Sequence, residues 1–231
     1  MKPKISIIIP TFNEERYLPK LLDSLKQQTF QDFEIIVADA NSKDSTRRIA
    51  KKYQCKIVNG GTPSVGRNNG AKAAKSDLLV FLDADVVIKD KNFLKKVYEL
   101  QNEYDFASVL LKFDSSDIII KLAQKISEVY IHINNLFMPH GYAGCFIVKR
   151  HLFEKVGGFQ DVKFGEDLIF CKSAKKYRFK LINSKLIASS RRYLRLGEQI
   201  KEVLNMLIFI FLLTFFNKIY NFDYDMGQYK K

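Results

Sequence analysis

Three short apolar runs, each followed directly by polar residues, constrain the fold of this chain more than any other feature of the sequence. They are Ile5–Ile9, Phe33–Ala38 and Leu78–Leu82. Runs of this length that are rich in branched side chains predict strands buried on both faces of a parallel sheet. A segment with leucines at helical spacing, residues 18–25, separates the first two runs. The alternation predicts an α/β domain with a Rossmann-like, mainly parallel sheet flanked by helices.

The rest of the chain supplies further predicted elements. The pattern predicts a helix over Ser42–Tyr53, with Ser42 and Asp44 placed to accept hydrogen bonds from its first N–H groups. One strand is predicted near Phe106–Phe113, and another at Cys145–Lys149 follows a long helical stretch. With 231 residues, the chain is large enough for one such domain with a modest appendage.

Polar residues stand at the end of each of the three apolar runs. These groups are Thr11–Glu14, Asp39–Ser42 and Asp83–Asp85. In an open parallel sheet, ligands bind beyond the carboxyl ends of the strands. We therefore expect the three groups to converge on one crevice with the geometry of a nucleotide site but without a Gly-rich loop.

Asp83 and Asp85 are the strongest candidates for a metal site. On an extended segment, residues two apart point to the same side, so two carboxylates can serve one hard cation and its bound phosphates. Oxygen ligands of this kind suit Mg²⁺ or Mn²⁺. Taken alone, so short a motif is better explained by aspartates that cap a loop. Its place beside two other polar strand ends favours the metal site.

Four other residues are candidates for ligand contacts, each with a structural alternative. Asp39 can accept hydrogen bonds from a base or a ribose, or it can cap a helix. Arg67 lies near the start of a predicted helix, where it can reach a base or a phosphate, or it can be a solvated surface residue. Glu166 and Asp167 lie in the first turn of another predicted helix, where the helix dipole favours acids in any case.

The formal net charge of +13 implies a surface that attracts polyanions such as nucleic acid, anionic lipid or phosphorylated substrates. The excess is partly local, because Lys172–Lys201 contains ten Lys or Arg residues and one acid. The three cysteines lack C-x-x-C spacing, which argues against a disulfide framework or a zinc site and fits a reducing cytosol. No secretory signal is recognised before the first predicted strand, so we expect a cytoplasmic catalytic domain.

A set of short segments in a fixed order is far more specific than any one of its members. The set comprises Ile7–Glu15, Val37–Thr46, Gly66–Gly70, Asp83–Asp85, Gly144–Phe146, Val156–Phe159, Phe164–Asp167 and Ser190–Tyr193. With this order and spacing, the chain resembles the family 2 glycosyltransferases, which have the GT-A fold. The resemblance covers roughly residues 4–195.

The resemblance implies an inverting transferase that moves a sugar from a nucleoside-diphosphate sugar, of the UDP or GDP type, to an acceptor hydroxyl. It implies Asp85 as the direct ligand of Mn²⁺ or Mg²⁺ and Asp167 as the base. Such a displacement needs acids at two separated sites, one to remove the acceptor's proton and one to hold the metal ion that neutralises the leaving diphosphate. The implied nucleotide-sugar contacts are Pro10, Thr11, Glu14, Asp39, Arg67 and Asp83, and the implied acceptor region is Gly144, Cys145 and Glu166.

One departure from the family pattern concerns the residues after the implied base. Many larger relatives carry a Gln-x-x-Arg-Trp motif there, and this chain contains no Trp. Arg191 and Arg192 resemble the arginine pair of smaller members, and we expect them to bind the donor's diphosphate through bidentate hydrogen bonds. The two arginines equally suit a basic surface that faces anionic lipid.

We divide the chain into a catalytic domain, residues 1–195, and a C-terminal apolar helix with its tail, residues 196–231. Val203–Phe216 is nearly all apolar, but a helix of this length rises only about 21 Å, short of the roughly 30 Å hydrocarbon core. We expect peripheral contact with the inner face of the cell membrane and a lipid-linked acceptor. Burial against the catalytic domain or a second copy of the chain is the alternative, and the oligomeric state is open.

Two other functions compete with glycosyl transfer. A sugar-phosphate nucleotidyltransferase also uses a parallel sheet and metal-binding aspartates, but it needs a Gly-rich basic loop where this chain has the acidic Pro10–Glu14. A nucleic-acid-binding module would exploit the +13 charge, but no recognised nucleic-acid motif accompanies that charge. We therefore expect a nucleotide sugar, and no nucleic acid, as the partner.

Overall fold

The computed structural model describes residues 2–141, 144–162 and 165–191. Within these ranges, the central sheet has seven strands: β1 (Ile5–Thr11), β2 (Phe33–Asp39), β3 (Lys56–Asn59), β4 (Leu78–Leu82), β6 (Phe106–Ser108), β8 (Cys145–Lys149) and β9 (Phe179–Leu181). Their order across the sheet is β3-β2-β1-β4-β8-β6-β9. The first four of these neighbours are parallel, whereas β8 runs antiparallel to both β4 and β6. The predicted mainly parallel α/β sheet is confirmed.

A second, smaller sheet lies beside the ends of these strands. It consists of β5 (Val86–Ile88), β7 (Leu111–Phe113) and β10 (Leu186–Ala188), in the order β5-β10-β7. The prediction of one strand over Phe106–Phe113 is therefore wrong, because β6 pairs with β8 and β9 while β7 pairs with β10. The apolar pattern of Phe106–Phe113 predicts that both β6 and β7 are buried, but it does not predict which strands each of them pairs with.

Helices cover both faces of the central sheet. They are α1 (Leu18–Lys26), α2 (Thr46–Lys52), α3 (Pro63–Ala73), α4 (Phe93–Glu99), α5 (Ile118–Asn134), α6 (Arg150–Lys155) and α7 (Glu166–Ser173), with a 3₁₀ turn at Leu100–Asn102. Successive residues of β1 alternate between the faces: Ile7 and Ile9 join one apolar cluster and Ile8 joins the other, all with 0% exposure. Helices on both sides explain why this strand is apolar at nearly every position.

The apolar cluster on the Ile8 face contains many aromatic rings. Phe170 of α7 packs against Phe146 of β8 and against Phe159, with ring centroids 5.1 and 5.4 Å apart. Phe81 of β4 contacts the same Phe159 ring edge-on at 5.1 Å. Aromatic pairs at these separations stabilise a fold by more than the burial of their apolar surface alone would. The cluster therefore fixes α7, and with it the two acids at the start of that helix, against the sheet.

The loops after β1 and β2 are bound to each other. The Asn13 N–H donates to Ser42 Oγ at 2.9 Å, and Ser42 itself donates from its N–H to Asp39 Oδ2 at 3.2 Å. Helix α2 begins at Thr46, so the predicted start at Ser42 is wrong: Ser42 binds the neighbouring loop instead of capping the helix. Asp44 does accept from the Thr46 N–H, at 2.9 Å, as predicted.

All three cysteines are free thiols, and one of them, Cys145, lies in β8 of the central sheet. None of the helices in the described ranges has both the length and the apolar character needed to cross a bilayer. The predicted C-terminal apolar helix, residues 196–231, lies outside the described residues.

Gly70 allows α3 to lie directly against β1, which generates a test of the packing. A Cβ at this position would come within 2.3 Å of Ile8 Cγ2. We expect Gly70→Ala to lower the free energy of unfolding by about 1–3 kcal/mol, because overpacking of the core outweighs the gain in helix propensity. Denaturant unfolding measures the change. In an Ile8→Ala background the same replacement should cost clearly less, and equal costs in the two backgrounds would contradict the packing argument.

Candidate active site

The two aspartates that follow β4 lie in a tight turn. The Val86 N–H donates to the Asp83 carbonyl at 3.1 Å, which closes the turn, and the Asp83 N–H donates to the Gly144 carbonyl at 3.2 Å. The expectation that Asp83 and Asp85 share one side of an extended segment is therefore wrong in its geometry. Instead, the turn directs the two carboxylates to two different arginines.

Arg67 of α3 makes the first of these contacts from a buried position. Its side chain is only 4% exposed; Nη2 donates to Asp83 Oδ1 at 2.7 Å, and Nη1 donates to Glu166 Oε1. Burial lowers the pKa of Arg67, but the surrounding carboxylates raise it by more, so the guanidinium stays charged. The alternative of a solvated surface arginine is wrong. Arg67 joins the turn after β4 to the first residue of α7.

Local sequence explains how α3 brings Arg67 to this place. Thr62 caps the helix by accepting from the Val65 N–H at 3.4 Å, and Pro63 occupies its first turn, where the missing N–H costs nothing. Gly66 faces the end of β1, where a Cβ would come within 3.3 Å of Pro10 Cβ. The absence of a side chain at this position lets the helix approach the strand closely.

Glu166 and Asp167 are the first two residues of α7, in the first helical turn, as predicted. Burial raises the pKa of the Asp167 carboxyl, the adjacent Glu166 carboxylate raises it further, and the Arg67 guanidinium lowers it; the net effect is upward. A carboxylate whose pKa is moved toward neutrality accepts a proton more readily than an ordinary aspartate. The position of Asp167 therefore suits a general base.

Arg191 makes the second set of contacts. Its Nη1 and Nη2 donate to the two oxygens of Glu14 at 2.8 and 2.6 Å, and its Nε lies 3.1 Å from Asp85 Oδ2. The guanidinium carbon also lies 4.3 Å from the centre of the Tyr17 ring. A planar guanidinium suits such a combination of bidentate and stacking contacts. The structure brings Glu14, Asp85 and Arg191 together, whereas Arg192 lies outside the described residues.

Asp39 lies at the end of β2 with its side chain completely buried. Its carboxylate accepts from Thr11 Oγ1 at 3.2 Å, from Ser42 Oγ at 2.6 Å and from Arg47 Nη1 at 3.0 Å. These bonds hold the loops after β1 and β2 in place. Asp39 therefore has a structural role whether or not it also contacts a ligand. Contact of Asp39, Thr11 and the adjacent Pro10 with a nucleoside stays a prediction.

Gly144 and Cys145 lie next to the aspartate turn. A Cβ on Gly144 would come within 2.7 Å of Leu111 Cδ1, so a side chain at this position would require Leu111 to move. The Cys145 side chain is 0% exposed within the core, and burial raises the pKa of its thiol well above the ordinary value. Any contact of Cys145 with an acceptor would therefore involve its backbone. The acceptor roles of Gly144, Cys145 and Glu166 stay predictions.

The donor atoms at the aspartate turn fit a hard divalent cation. Asp83 and Asp85 supply two carboxylates within three residues, and carboxylate oxygens are the ligands that Mg²⁺ and Mn²⁺ prefer. In the described part of the chain, no group of three or more His, Cys, Asp or Glu side chains is arranged around a common point. Phosphate oxygens and water would have to complete the coordination, as is usual for Mg²⁺ in nucleotide sites.

Residues 6–157 match the family model described as glycosyl transferase family 2, which is well over half of the chain. The protein belongs to glycosyl transferase family 2. The matched range includes β1 to β4, the aspartate turn, Arg67 and the strand β8. It ends before Glu166 and Asp167, so the proposed base lies beyond the match.

Two curated relatives and one solved structure illustrate what this family 2 chain is similar to. The poly(ribitol-phosphate) β-N-acetylglucosaminyltransferase TarS of Staphylococcus aureus is 35% identical over 119 residues, which are 47% of this chain and 21% of TarS. The GalNAc(5)-diNAcBac-PP-undecaprenol β-1,3-glucosyltransferase of Campylobacter jejuni is 37% identical over 92 residues, 36% of this chain and 30% of that enzyme. This chain thus spans less than a third of either relative.

The solved structure is the mannosyltransferase PcManGT of Pyrobaculum calidifontis, in complex with GDP-Man and Mn²⁺. It matches this chain with a TM-score of 0.66 at 20% sequence identity, over 81% of this chain and 57% of PcManGT. This likeness establishes that the family 2 chain has the GT-A fold. It carries no information on which sugar or acceptor this chain uses.

Three residues of the site were missed by the sequence analysis. Tyr17 stacks under Arg191, Arg47 binds Asp39, and Phe159 lies with its ring centre 5.7 Å from the Arg67 guanidinium. For Phe159, the Gly157-Gly158-Phe159 segment was a signal, because it belongs to the motif set of the family. For Tyr17 and Arg47, the sequence carries no signal that separates them from ordinary helix-surface residues.

The buried bridge at Arg67 generates a prediction about stability. Arg67→Met leaves the carboxylates of Asp83 and Glu166 without their cation, and we expect the free energy of unfolding to fall by about 3–5 kcal/mol near neutral pH. Without Arg67, the pKa of Asp167 rises further, and an acid with a raised pKa in the folded state destabilises the fold increasingly as pH rises. The pKa of Asp167 is already raised to about 7 in the intact protein, so the additional loss from Asp167 should grow above about pH 7 and be absent at about pH 5. Urea unfolding at about pH 5, 7 and 8.5 measures it.

Arg178 offers a matched control for this replacement. Its guanidinium pairs with Asp105 at 3.1 Å, but its side chain is mostly exposed. An exposed ion pair is screened by solvent, so Arg178→Met should cost far less than Arg67→Met. Equal losses for the two variants would contradict the role assigned to the buried bridge.

Proposed function

We propose that this protein is an inverting glycosyltransferase that moves a sugar from a nucleoside-diphosphate sugar to an acceptor hydroxyl. The observation that carries the proposal is the buried Arg67, which joins the turn containing Asp83 to the helix start containing Asp167. The bridge fixes two groups of acids relative to each other at one site. An inverting displacement needs this arrangement, with a base on one side of the sugar and a means of neutralising the leaving group on the other.

The aspartate turn forms the donor side of the proposed site. Asp85 is the proposed direct ligand of Mn²⁺ or Mg²⁺, with Asp83 beside it, and the bound cation supplies charge that stabilises the departing nucleoside diphosphate. Arg191 lies against both Asp85 and Glu14, and its position beside the proposed metal ligand supports a role in binding the diphosphate. The mannosyltransferase solved with GDP-Man and Mn²⁺ supports a metal-assisted site for a donor of the UDP or GDP type.

The ends of β1 and β2 form the nucleoside side of the proposed site. Pro10, Thr11 and Asp39 lie there, next to α3. In an open parallel sheet, a nucleotide binds in the crevice beyond the strand ends, which supports this assignment. Arg192 is proposed as a further diphosphate ligand because it adjoins Arg191 in the sequence.

Asp167 forms the acceptor side. The acceptor oxygen attacks the anomeric carbon from the face opposite the diphosphate, the bond from that carbon to the diphosphate oxygen breaks, and Asp167 takes the hydroxyl proton. Its raised pKa favours this transfer. Glu166 and the Gly144–Cys145 backbone are proposed to border the acceptor. Arg67 acts here as a positioning residue, because it holds Glu166 and thereby the start of α7.

Membership of glycosyl transferase family 2 favours this function over the two alternatives. A sugar-phosphate nucleotidyltransferase needs a basic, Gly-rich loop after the first strand, and here the loop presents Glu14, held by Arg191. A nucleic-acid-binding role rests only on the charge of +13, which suits several other anionic partners.

We further propose that the enzyme works in the cytoplasm at the inner face of the cell membrane on a lipid-linked acceptor. One relative is named for a GalNAc(5)-diNAcBac-PP-undecaprenol substrate, which supports a lipid-linked acceptor. The basic residues between Lys172 and Lys201, followed by the apolar Val203–Phe216, support a position at an anionic leaflet.

The role of Asp167 as the base is tested by Asp167→Asn, which keeps the shape of the side chain but removes the proton acceptor. We expect donor-nucleotide affinity to stay within about two-fold and transfer to fall by about a hundred- to ten-thousand-fold. Glu154→Gln on the exposed face of α6 is the control, because it makes the same acid-to-amide change away from the site. Calorimetric UDP or GDP binding and a transfer assay over a panel of nucleotide sugars measure the two effects. Unchanged turnover would remove Asp167 as the base.

The role of Asp85 as a metal ligand is tested by Asp85→Ala. We expect UDP or GDP to bind the unaltered protein in an Mn²⁺-dependent manner, and the variant to lose about ten-fold or more of that affinity. Titration calorimetry with and without Mn²⁺ measures this. Asp77→Ala is the control, because Asp77 is exposed and pairs only at the surface with Lys2. Nucleotide binding that is independent of metal would overturn the assignment of Asp85.

A further inference from the structure

One face of α5 presents a continuous apolar stripe to the solvent. Seven large apolar side chains are more than half exposed. Six recur at intervals of three or four residues, namely Ile118, Leu122, Ile126, Val129, Ile133 and Leu136, and Phe137 directly follows the last of them. At about 100° per residue, they fall on one side of the helix and of the turn that continues it. The buried residues Ile120, Ile131 and Asn134 lie on the opposite side, toward the domain. We call the seven residues the α5 stripe.

The rest of the described surface has no comparable group of exposed apolar side chains. In the part of the chain that the structure describes, Phe12 is the one other large apolar side chain with comparable exposure. Single exposed apolar residues need no explanation, but a contiguous patch of this size marks a contact with another molecule or a membrane. The α5 stripe is therefore a binding surface.

The charged residues around the stripe indicate what kind of partner it binds. Lys121 and Lys125 are exposed along one edge, and Lys175 borders a depression that also includes Leu136 and Phe137 at the far end. Glu128 lies on the same edge of α5 and accepts from Gln124 Nε2 at 2.7 Å, and no Asp or Glu follows it in the sequence until Glu154. An apolar stripe with lysines along its border fits the boundary between acyl chains and anionic headgroups. The net charge of +13 favours an anionic surface over a second copy of the chain as the partner.

The end of the described chain lies beside the start of α5. The Ser190 N–H donates to Asp114 Oδ1 at 2.6 Å, and the Asp114 N–H donates to the Ala188 carbonyl at 3.1 Å. Asp114 precedes α5 by only a few residues. The last described residues therefore lie beside the N-terminal end of the helix that carries the α5 stripe.

We propose that the α5 stripe docks on the surface of an anionic lipid bilayer, with its apolar side chains in the headgroup boundary and Lys121, Lys125 and Lys175 among the phosphates. This surface adds to the C-terminal segment a second, preformed contact that belongs to the catalytic domain itself. It rests on the proposed location at the membrane and is independent of the chemistry at Asp85 and Asp167. Docking through α5 fixes the height and orientation of the domain above the lipid.

The test uses sedimentation of the full chain with vesicles of phosphatidylcholine, alone or mixed with phosphatidylglycerol. We expect binding to the anionic vesicles only, and about a ten-fold or greater loss of that binding in the variant Leu122→Ser/Ile126→Ser/Ile133→Ser. These side chains are exposed, so the variant should keep its unfolding temperature and its Mn²⁺-dependent nucleotide binding. Retained nucleotide binding separates a failure of docking from a failure of the proposed function.

A charge-reversal pair tests the electrostatic part of the proposal. Lys121→Glu/Lys125→Glu should weaken binding to anionic vesicles strongly, whereas Lys51→Glu/Lys52→Glu makes the same change on the exposed face of α2 and should weaken it much less. Equal effects of the two pairs would mean that only the overall charge matters, and would overturn docking through α5.

Three further results would also overturn the proposal. One is that the full chain does not sediment with anionic vesicles. Another is that the triple serine variant binds them as well as the unaltered chain, which would assign the contact to the C-terminal segment alone. The third is that, without lipid, a thiol probe fails to label a cysteine placed at Ile126, because another part of the chain or a second copy covers the stripe.

Discussion

The buried guanidinium of Arg67 is the interaction on which the rest of the site depends. It lies in α3, between the aspartate turn that ends β4 and the first residue of α7. A buried charge is tolerated only when it is paired, and here two carboxylates that lie far apart in the sequence, Asp83 and Glu166, supply the compensation. Gly66 and Gly70 let α3 pack closely against β1, and this packing holds Arg67 in a fixed position. The position of Asp167 follows from it.

A second arginine organises the other side of the site. Arg191 binds Glu14 and lies against Asp85 and Tyr17, so that the loop after β1 and the aspartate turn are joined by one side chain. Each arginine thus contacts one of the two acids in the turn. This division explains how a three-residue turn can take part in two functions: Asp83 belongs to the bridge toward α7, and Asp85 to the proposed metal and diphosphate side.

Much of the fold could be predicted from the sequence. The bounds of β4 and β8 agree with the predicted runs, and the acids of α7 lie in its first turn. Local periodicity and strand-end polarity carry this information directly. The predictions failed where partners decide the outcome: Phe106–Phe113 became two strands in two sheets, and Ser42 bound the loop at Asn13 instead of capping α2. In both cases a long-range contact outweighed a local preference.

The sequence by itself determined the α/β alternation, the placement of acids at strand and helix ends, and membership of glycosyl transferase family 2. It did so because those features depend on the residue types within short windows and on their order. Only the tertiary structure decided which charges meet. Arg67 and Glu166 are 99 positions apart, and Glu14 and Arg191 are 177 apart. No local pattern encodes such pairs, because each exists only when folding removes water from both groups and leaves each as the other's best partner.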